Sequence, residues 1–227
     1  MKILCRHELV KIAIPTQQQL EEYRAAISAR HPELPDVWCT RNGLKLYLEC
    51  VGTQIREDNK NDDNASHMTF HHDHSEFYND WQHDYYVTNV FCFCPDGTVL
   101  IACFNVPGCV HDSQVAWWEN IYNKLEIVWN SDGLKCVLDS AFRKVNREFL
   151  INSSRDYMTA DAGITDEQLM IENLQSKRAA TSMRRSTEWG MRAFQASFPR
   201  VKDRFKYEET DECGLMLKFL LYLSNLW

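Results

Sequence analysis

The chain of 227 residues contains no apolar run approaching the length that crosses a bilayer, which sets a helical membrane protein aside. Its opening residues, MKILCRHELVKIAIP, lack the uninterrupted apolar core of a signal peptide, so the expectation is a chain that stays inside the cell. There is no internal repeat and no low-complexity boundary. The length is too short for two comfortable domains and leaves one domain with short extensions. A disulfide framework is missing as well: nine cysteines, an odd number without regular spacing, read as reduced thiols. Cys92 and Cys94 alternate with Phe91 and Phe93 in a strand-like run, which makes them small buried hydrophobes rather than zinc ligands, and no metal is placed there.

Positive charge is in deficit, with a formal net charge of −7 that on its face argues against a nucleic-acid partner. The average conceals two opposite segments. Residues 55–76 hold two basic and six acidic side chains, whereas residues 177–206, KRAATSMRRSTEWGMRAFQASFPRVKDRFK, hold nine basic and two acidic ones. The hydrophobic fraction of 44% and charged fraction of 25% are otherwise those of an ordinary globular protein.

Thr16 after Pro15 is a candidate N-cap for a helix through Arg30, with Leu20, Tyr23 and Ile27 at helical spacing. In TRNGLKLYLEC, residues 40–50, Leu44, Leu46 and Leu48 alternate with Lys45, Tyr47 and Glu49; a half-buried strand is expected over 43–50, with Asn42-Gly43 as a turn leading into it. The polar tract near 53–76 is expected to be a mobile insertion, and its His71, His72 and His74 beside Asp73 read as a solvated loop. DYYVTNVFCFC and TVLIACFNV, joined by Pro-Asp-Gly, predict a β-hairpin. HDSQVAWWENIYNKLEIVW predicts a helix capped by Asp112 or Ser113, with Val115, Trp118, Ile121, Tyr122 and Leu125 as its apolar stripe and Gly133 stopping it. GLKCVLDSAF predicts a short strand ending at Asp139, REFLINSS another, and the remainder is helical up to a C-terminal amphipathic run.

Three antiparallel strands followed by a helix and a parallel strand is the order of an RNase H-like α/β core, a mixed sheet flanked by helices. Enzymes of that architecture need acids on the first strand, the fourth strand and a late helix. Asp139 answers the second demand, at the C-terminal end of an apolar strand where open sheets place their ligand sites. Glu188 answers the third, on a row with Arg184 and Arg192 beside the stripe Met183, Thr187, Met191, Phe194 and Phe198. The plainer reading of Glu188 is an i±4 partner of Arg184 and Arg192 on a solvated face. Two carboxylates from separate elements suit Mg²⁺ or Mn²⁺. The chemistry would be in-line phosphodiester attack, with Arg184, Arg185, Arg192, Arg200 and Lys202 as candidate contacts to a phosphate backbone.

The blocks NGLKLYLE, FYNDWQHDYYV, CPDGTVLIACFNVPGCVHDSQVA, CVLDSAF and RRSTEWGMRAFQASFPRVK, in that order over about residues 37–205, resemble those of DDE-superfamily endonucleases of the PIF/Harbinger transposase type. The resemblance implies an RNase H-like nuclease domain over 37–206, a helical extension over 1–36 and a C-terminal helical segment over 207–227. It further implies divalent-metal dependence, DNA cleavage and strand transfer, and a place in the nucleus. It carries the second and third acids onto Asp139 and Glu188, and it sets Asn42 where the family has its first catalytic Asp. An amide can still offer its oxygen to a metal, but activity is expected to be lost or much reduced. Asp36 and Asp112 are the nearest substitutes by sequence. Such transposases find their DNA through a helix-turn-helix region or a partner protein, and residues 1–36 show one convincing helix, so targeting is lost or delegated to a separate DNA-binding protein. Asp80 stands where the family commonly has glycine. Besides an impaired nuclease, two readings stay open: a non-catalytic DNA- or protein-binding module on the same scaffold, and a transposon relic without selected function.

Overall fold

The computed structural model describes residues 12–49, 75–111, 114, 115, 117, 120–139, 147–152, 167–206 and 209–226. The insertion expected near 53–76, but for its last two residues, lies outside the described residues, as do its histidines, Asp112 and Ser113.

Helix α1 (Gln17–Arg30) starts as its sequence asks. The Thr16 hydroxyl accepts from the Gln19 backbone N–H while the Gln19 side chain accepts from the Thr16 backbone N–H. This reciprocal capping box satisfies two donors that a helix start leaves open. Leu20, Tyr23 and Ile27 are its buried residues, and they join the core shared with the sheet.

The strands are β1 (Val37–Tyr47), β2 (Tyr78–Asn79), β3 (Asp84–Phe93), β4 (Val99–Pro107), β5 (Lys135–Leu138) and β6 (Leu150–Asn152). Antiparallel pairing joins β1 to β3 and β3 to β4, and parallel pairing joins β1 to β5 and β5 to β6. The sheet therefore reads β4-β3-β1-β5-β6, with the short β2 also on β3. Helices α2 (Ile121–Asp132), α3 (Glu167–Ser197) and α4 (Thr210–Ser224) follow, with short 3-10 turns at Ser75–Phe77 and Pro199–Lys202.

The alternation predicted for Leu44, Leu46 and Leu48 is present, all three being buried. The start of the strand is corrected. Asn42 and Gly43 form no turn; they lie inside β1, paired with Phe91 and Val90 of β3. Neither has the left-handed backbone that Asn-Gly turns use. Tertiary pairing overrides the dipeptide's local preference because β1 is the central strand, with β3 on one side and β5 on the other. Central position also hides the strand's first half from periodicity. Val37, Trp38, Cys39, Thr40 and Arg41 are all buried, because both faces are covered there.

One face of the sheet packs against α1 and α2, through Cys39, Val90, Cys92, Cys136 and Leu138 meeting Leu20, Tyr23, Ile121, Tyr122 and Leu125. The other face packs against α3 and α4. Leu44, Leu46, Phe91 and Phe93 meet Met191, Phe194, Leu217 and Leu221, and Val37 and Val137 meet Ala179, Ala180 and Met183. Burying each such Leu or Phe stabilises the fold by about 1.5–3 kcal/mol. The hairpin turn has Gly97 at φ 87°, the left-handed conformation that Pro-Asp-Gly supplies, and the Cys94 N–H donates to the Thr98 carbonyl across it. The expected helix is interrupted: Gln114, Val115 and Trp117 are helical, Asn120 follows with φ 53°, and α2 runs on from Ile121 until Gly133, also left-handed, ends it as predicted. The edge strand β4 is closed off by Asn225, whose amide donates to and accepts from the Val99 backbone at 2.9 Å each.

Candidate active site

β1 and β5 run parallel, with Arg41 opposite Leu138 as their last paired positions. The next residues along, Asn42 and Asp139, stand beside each other at the C-terminal end of the pair. Side chains alternate along a strand, so Asn42 shares a face with Thr40 and Leu44, and Asp139 with Val137. That is the face α3 covers, since Leu44 packs with Met191 and Val137 with Met183. Helix α3, about 46 Å long over 31 residues, crosses this strand end. It buries Ala180, Met183, Thr187, Met191 and Phe194 toward the sheet. Thr187 is fastened to β1 by a hydrogen bond between its hydroxyl and that of Thr40, both residues being buried. This contact sets the depth of the neighbouring Glu188 against the strand ends.

Asp139 and Glu188 converge on one guanidinium. Arg184 donates from Nη1 to Asp139 Oδ1 at 2.7 Å and from Nη2 to Glu188 Oε1 at 2.9 Å. The side chains of Arg184, Asp139 and Glu188 are 23%, 28% and 38% exposed, so this group lines the surface without lying free in solvent. Arg184 Nε is buried and has no hydrogen-bond partner among the described residues, so the other two nitrogens, both turned to carboxylates, carry the polar contacts of the guanidinium. The i, i+4 pairing of Glu188 with Arg184 that a solvated face would give is therefore present, but the same arginine also reaches a second acid on a different element. Asn42 accepts the Gly43 backbone N–H on its Oδ1 at 2.9 Å.

The donors gathered here are all oxygens, two of them carboxylates, the set a hard divalent cation prefers. A guanidinium already stands where the carboxylates converge, a cation where a bound cation would sit. The residues present therefore fit a magnesium or manganese ion, with one anion fewer than three acids would provide. Asp36 lies away from this group. It precedes β1, and its carbonyl accepts the Lys135 N–H at the opposite end of the parallel pair, roughly 20 Å of strand from Asn42.

Of the candidate phosphate contacts, Arg184 is engaged with the two acids as described. Arg200 makes 3.5 Å ion pairs with Asp203 and Glu209 and lies over the Phe205 ring. Arg185, Arg192 and Lys202 are exposed and make no ion pair among the described residues. Trp189, following Glu188, is 70% exposed. At the position where the resemblance has glycine, Asp80 has no left-handed backbone; the residue that does in this turn is His83, at φ 53°. Nothing at Asp80 therefore requires glycine.

Sequence reading missed two features of this region. Thr40 was unremarkable, and only its pairing with Thr187 shows how α3 is located. Arg184 reads from the sequence as a phosphate contact and an i±4 partner of Glu188, and only the structure shows that it also reaches Asp139.

A family model described as DDE superfamily endonuclease matches residues 53–225. The match spans well over half of the chain, which belongs to that family of transposase-like nucleases. These nucleases act on DNA and generally use divalent metal ions. The matched stretch contains Asp139, Glu188 and the basic segment, and begins after Asn42. No curated protein and no solved structure is significantly similar to the chain. Among the described residues no helix is long and apolar enough to cross a membrane.

Proposed function

We propose that this DDE superfamily endonuclease is a transposase-derived nuclease of the PIF/Harbinger type, with an RNase H-like core and an impaired active site. Asp139 and Glu188 would hold Mg²⁺ or Mn²⁺, and Asn42 occupies the degraded first position. The observation that carries the reading is the meeting of Asp139 and Glu188 on one guanidinium at the end of the β1–β5 pair. The order β4-β3-β1-β5-β6 supports the RNase H-like assignment. When bound, divalent ions activate water and stabilise the leaving oxygen of an in-line phosphodiester displacement.

The chain's own residues do the rest. Asp139 and Glu188 supply the anionic oxygens, Thr40 and Thr187 keep α3 at a fixed height over the strand end, and Asn42 contributes a neutral oxygen that holds a cation less tightly than a carboxylate. Arg185, Arg192, Arg200 and Lys202, on and after α3, would take the phosphate backbone of DNA. Arg184 would do so only on leaving the acids. DNA targeting through a separate protein, and a place in the nucleus, belong to the same reading.

One observation favours the alternative, a non-catalytic DNA- or protein-binding module. With Asn42 neutral and Arg184 bridging both acids, the group carries a net charge of −1, a weak attraction for a divalent ion. Nicking of supercoiled DNA in Mn²⁺ separates the two. The nuclease reading expects slow nicking by the native chain, a gain of at least about tenfold with Asn42→Asp, and loss with Asp139→Ala. The binding-module reading expects no nicking from any of the three, with DNA affinity unchanged by Asp139→Ala. In either case affinity carried by residues 177–206 falls steeply with salt, because phosphate contacts release counterions.

A further inference from the structure

On the opposite face of the sheet from the acids, three strands bring three thiols together. Cys39 of β1 and Cys136 of β5 are direct register partners. Cys92 of β3 sits opposite Arg41 of β1. The three sulfurs lie within 4.8 Å of one another, and the residues are 0%, 1% and 0% exposed for Cys39, Cys136 and Cys92. Three sulfurs bound at about 2.3 Å to a common centre lie about 4 Å apart when they surround it in a plane, so the cluster is close to the size of a trigonal thiolate site before any ion enters. The pairs Cys92–Cys94 and Cys39–Cys136 show why spacing along the chain could not reveal it: the sequence neighbour Cys94 lies outside the cluster, and the members come from distant strands.

We propose that Cys39, Cys92 and Cys136 form a three-thiolate binding site for a soft, closed-shell metal ion, of which monovalent copper is the best match. Softness selects the ion class, since thiolates favour copper(I) and zinc over magnesium or calcium. Coordination number selects within the class. No histidine, carboxylate or fourth thiol joins the group among the described residues, and the burial of all three cysteines leaves little room for water, whereas structural zinc takes four ligands. Charge agrees. Three thiolates around a monovalent ion leave excess negative charge, and Arg41, fully buried on the adjoining position and stacked 5.0 Å over the Tyr122 ring, places a guanidinium next to it. Cys94 and Cys103, buried on the same face, pack as small hydrophobes without entering the cluster.

The site is independent of the nuclease reading, because its ligands lie across the sheet from Asp139 and Glu188. The ion enters as the strands pair, so the full chain is refolded anaerobically with copper(I) supplied as a weak complex. The background is Cys5→Ala, Cys50→Ala and Cys109→Ala, since Cys109 is exposed and the other two lie outside the described residues. Bound copper on the desalted protein and the thermal midpoint are then measured. The expected result is one copper per chain and a midpoint that rises with copper concentration. Cys92→Ala and Cys136→Ala should each reduce bound copper at least tenfold, while Cys94→Ala, equally buried, retains it. Circular dichroism shows that each variant is folded. The proposal is overturned by a folded background chain that retains no copper, by equal loss in Cys94→Ala, or by zinc being retained in copper's place. Asp139→Ala should leave copper binding untouched, so failure here and failure of the nuclease reading remain separate results.

Discussion

Replacing Asn42 by Asp tests the candidate active site without disturbing its packing. The two side chains have the same shape, and Asp retains the oxygen that accepts the Gly43 N–H at 2.9 Å. What changes is charge. The group of Asp139, Glu188 and Arg184 moves from −1 to −2 when a third acid joins it. Without metal that is unfavourable. Because the side chains of Asp139 and Glu188 are 28% and 38% exposed, water screens the added repulsion to about 0.5–1 kcal/mol rather than the several that a dry interior would impose. With a divalent ion the sign reverses. A carboxylate in place of an amide should tighten the ion at least about tenfold, about 1.4 kcal/mol, which exceeds the repulsion.

Thermal unfolding in chelator and across a Mn²⁺ titration should therefore cross over. Asn42→Asp melts below the native chain in chelator, by about 1–4 °C for a domain of this size, and above it when both are saturated with Mn²⁺. The double variant Asn42→Asp, Asp139→Ala should lose the crossover, because the ion then has one acid fewer. A folded Asn42→Asp variant whose response to Mn²⁺ matches that of the native chain would refute the reasoning, since position 42 would then have no part in holding the ion.

Arg184→Met removes two charge-assisted hydrogen bonds and leaves two carboxylates facing each other; unfolding in chelator should show a loss of about 1–2 kcal/mol, part of it restored by Mn²⁺. Thr187→Val strands the buried Thr40 hydroxyl and should cost about 1–2 kcal/mol, whereas the double variant Thr40→Val, Thr187→Val recovers most of that loss, a coupling that denaturant unfolding of the four chains will measure. Asp84 supplies the pH dependence. Its hydrogen bonds from Arg204, at 2.7 and 3.0 Å, hold its carboxyl below the usual range. A lowered folded-state pKa contributes stability that is present above the unfolded carboxylate value and lost as pH falls through the folded one. Asp84→Asn should accordingly cost about 1 kcal/mol near neutrality, and the difference from the native chain should close below about pH 4; a difference independent of pH would show that the charge is irrelevant.

The parts of this molecule that could be read from the sequence are those where one local rule acted alone. Thr16 and Gln19 cap a helix whichever fold surrounds them, Gly97 and Gly133 sit at left-handed positions that the flanking patterns announced, and Leu44, Leu46 and Leu48 alternate because only one side of that half of β1 is deeply covered. Where two rules competed, tertiary structure won. Asn42-Gly43 carries turn chemistry yet lies mid-strand, because the ladder to Phe91 and Val90 outweighs it. The run Val37–Arg41 shows no alternation, since a central strand buried on both faces has none to show. Asp139 could be placed at a strand end from the apolar run before it, and Glu188 beside Arg184 from their i, i+4 spacing, but that the same guanidinium would reach Asp139 depends on how α3 lies over the sheet, where Thr40 meets Thr187, which no spacing along the chain encodes.

Arg184 supports two opposed conclusions from one geometry. Its hydrogen bonds bring the acids of β5 and α3 to a single point, the convergence a metal-dependent nuclease needs. The same bonds neutralise the charge that would attract the metal. In a site with three acids, one negative charge neutralised by such a bridge leaves −2, enough for a divalent ion to displace the guanidinium. With Asn42 the remainder is −1, and the balance moves toward the arginine. On the proposed nuclease reading, an amide at position 42 would weaken metal binding twice, by withholding a ligand charge and by strengthening the relative claim of a competitor already in place. It follows that Arg184 should matter more to metal affinity in the native chain than in Asn42→Asp, and that comparison distinguishes a competing bridge from a structural tie, which would matter equally in both.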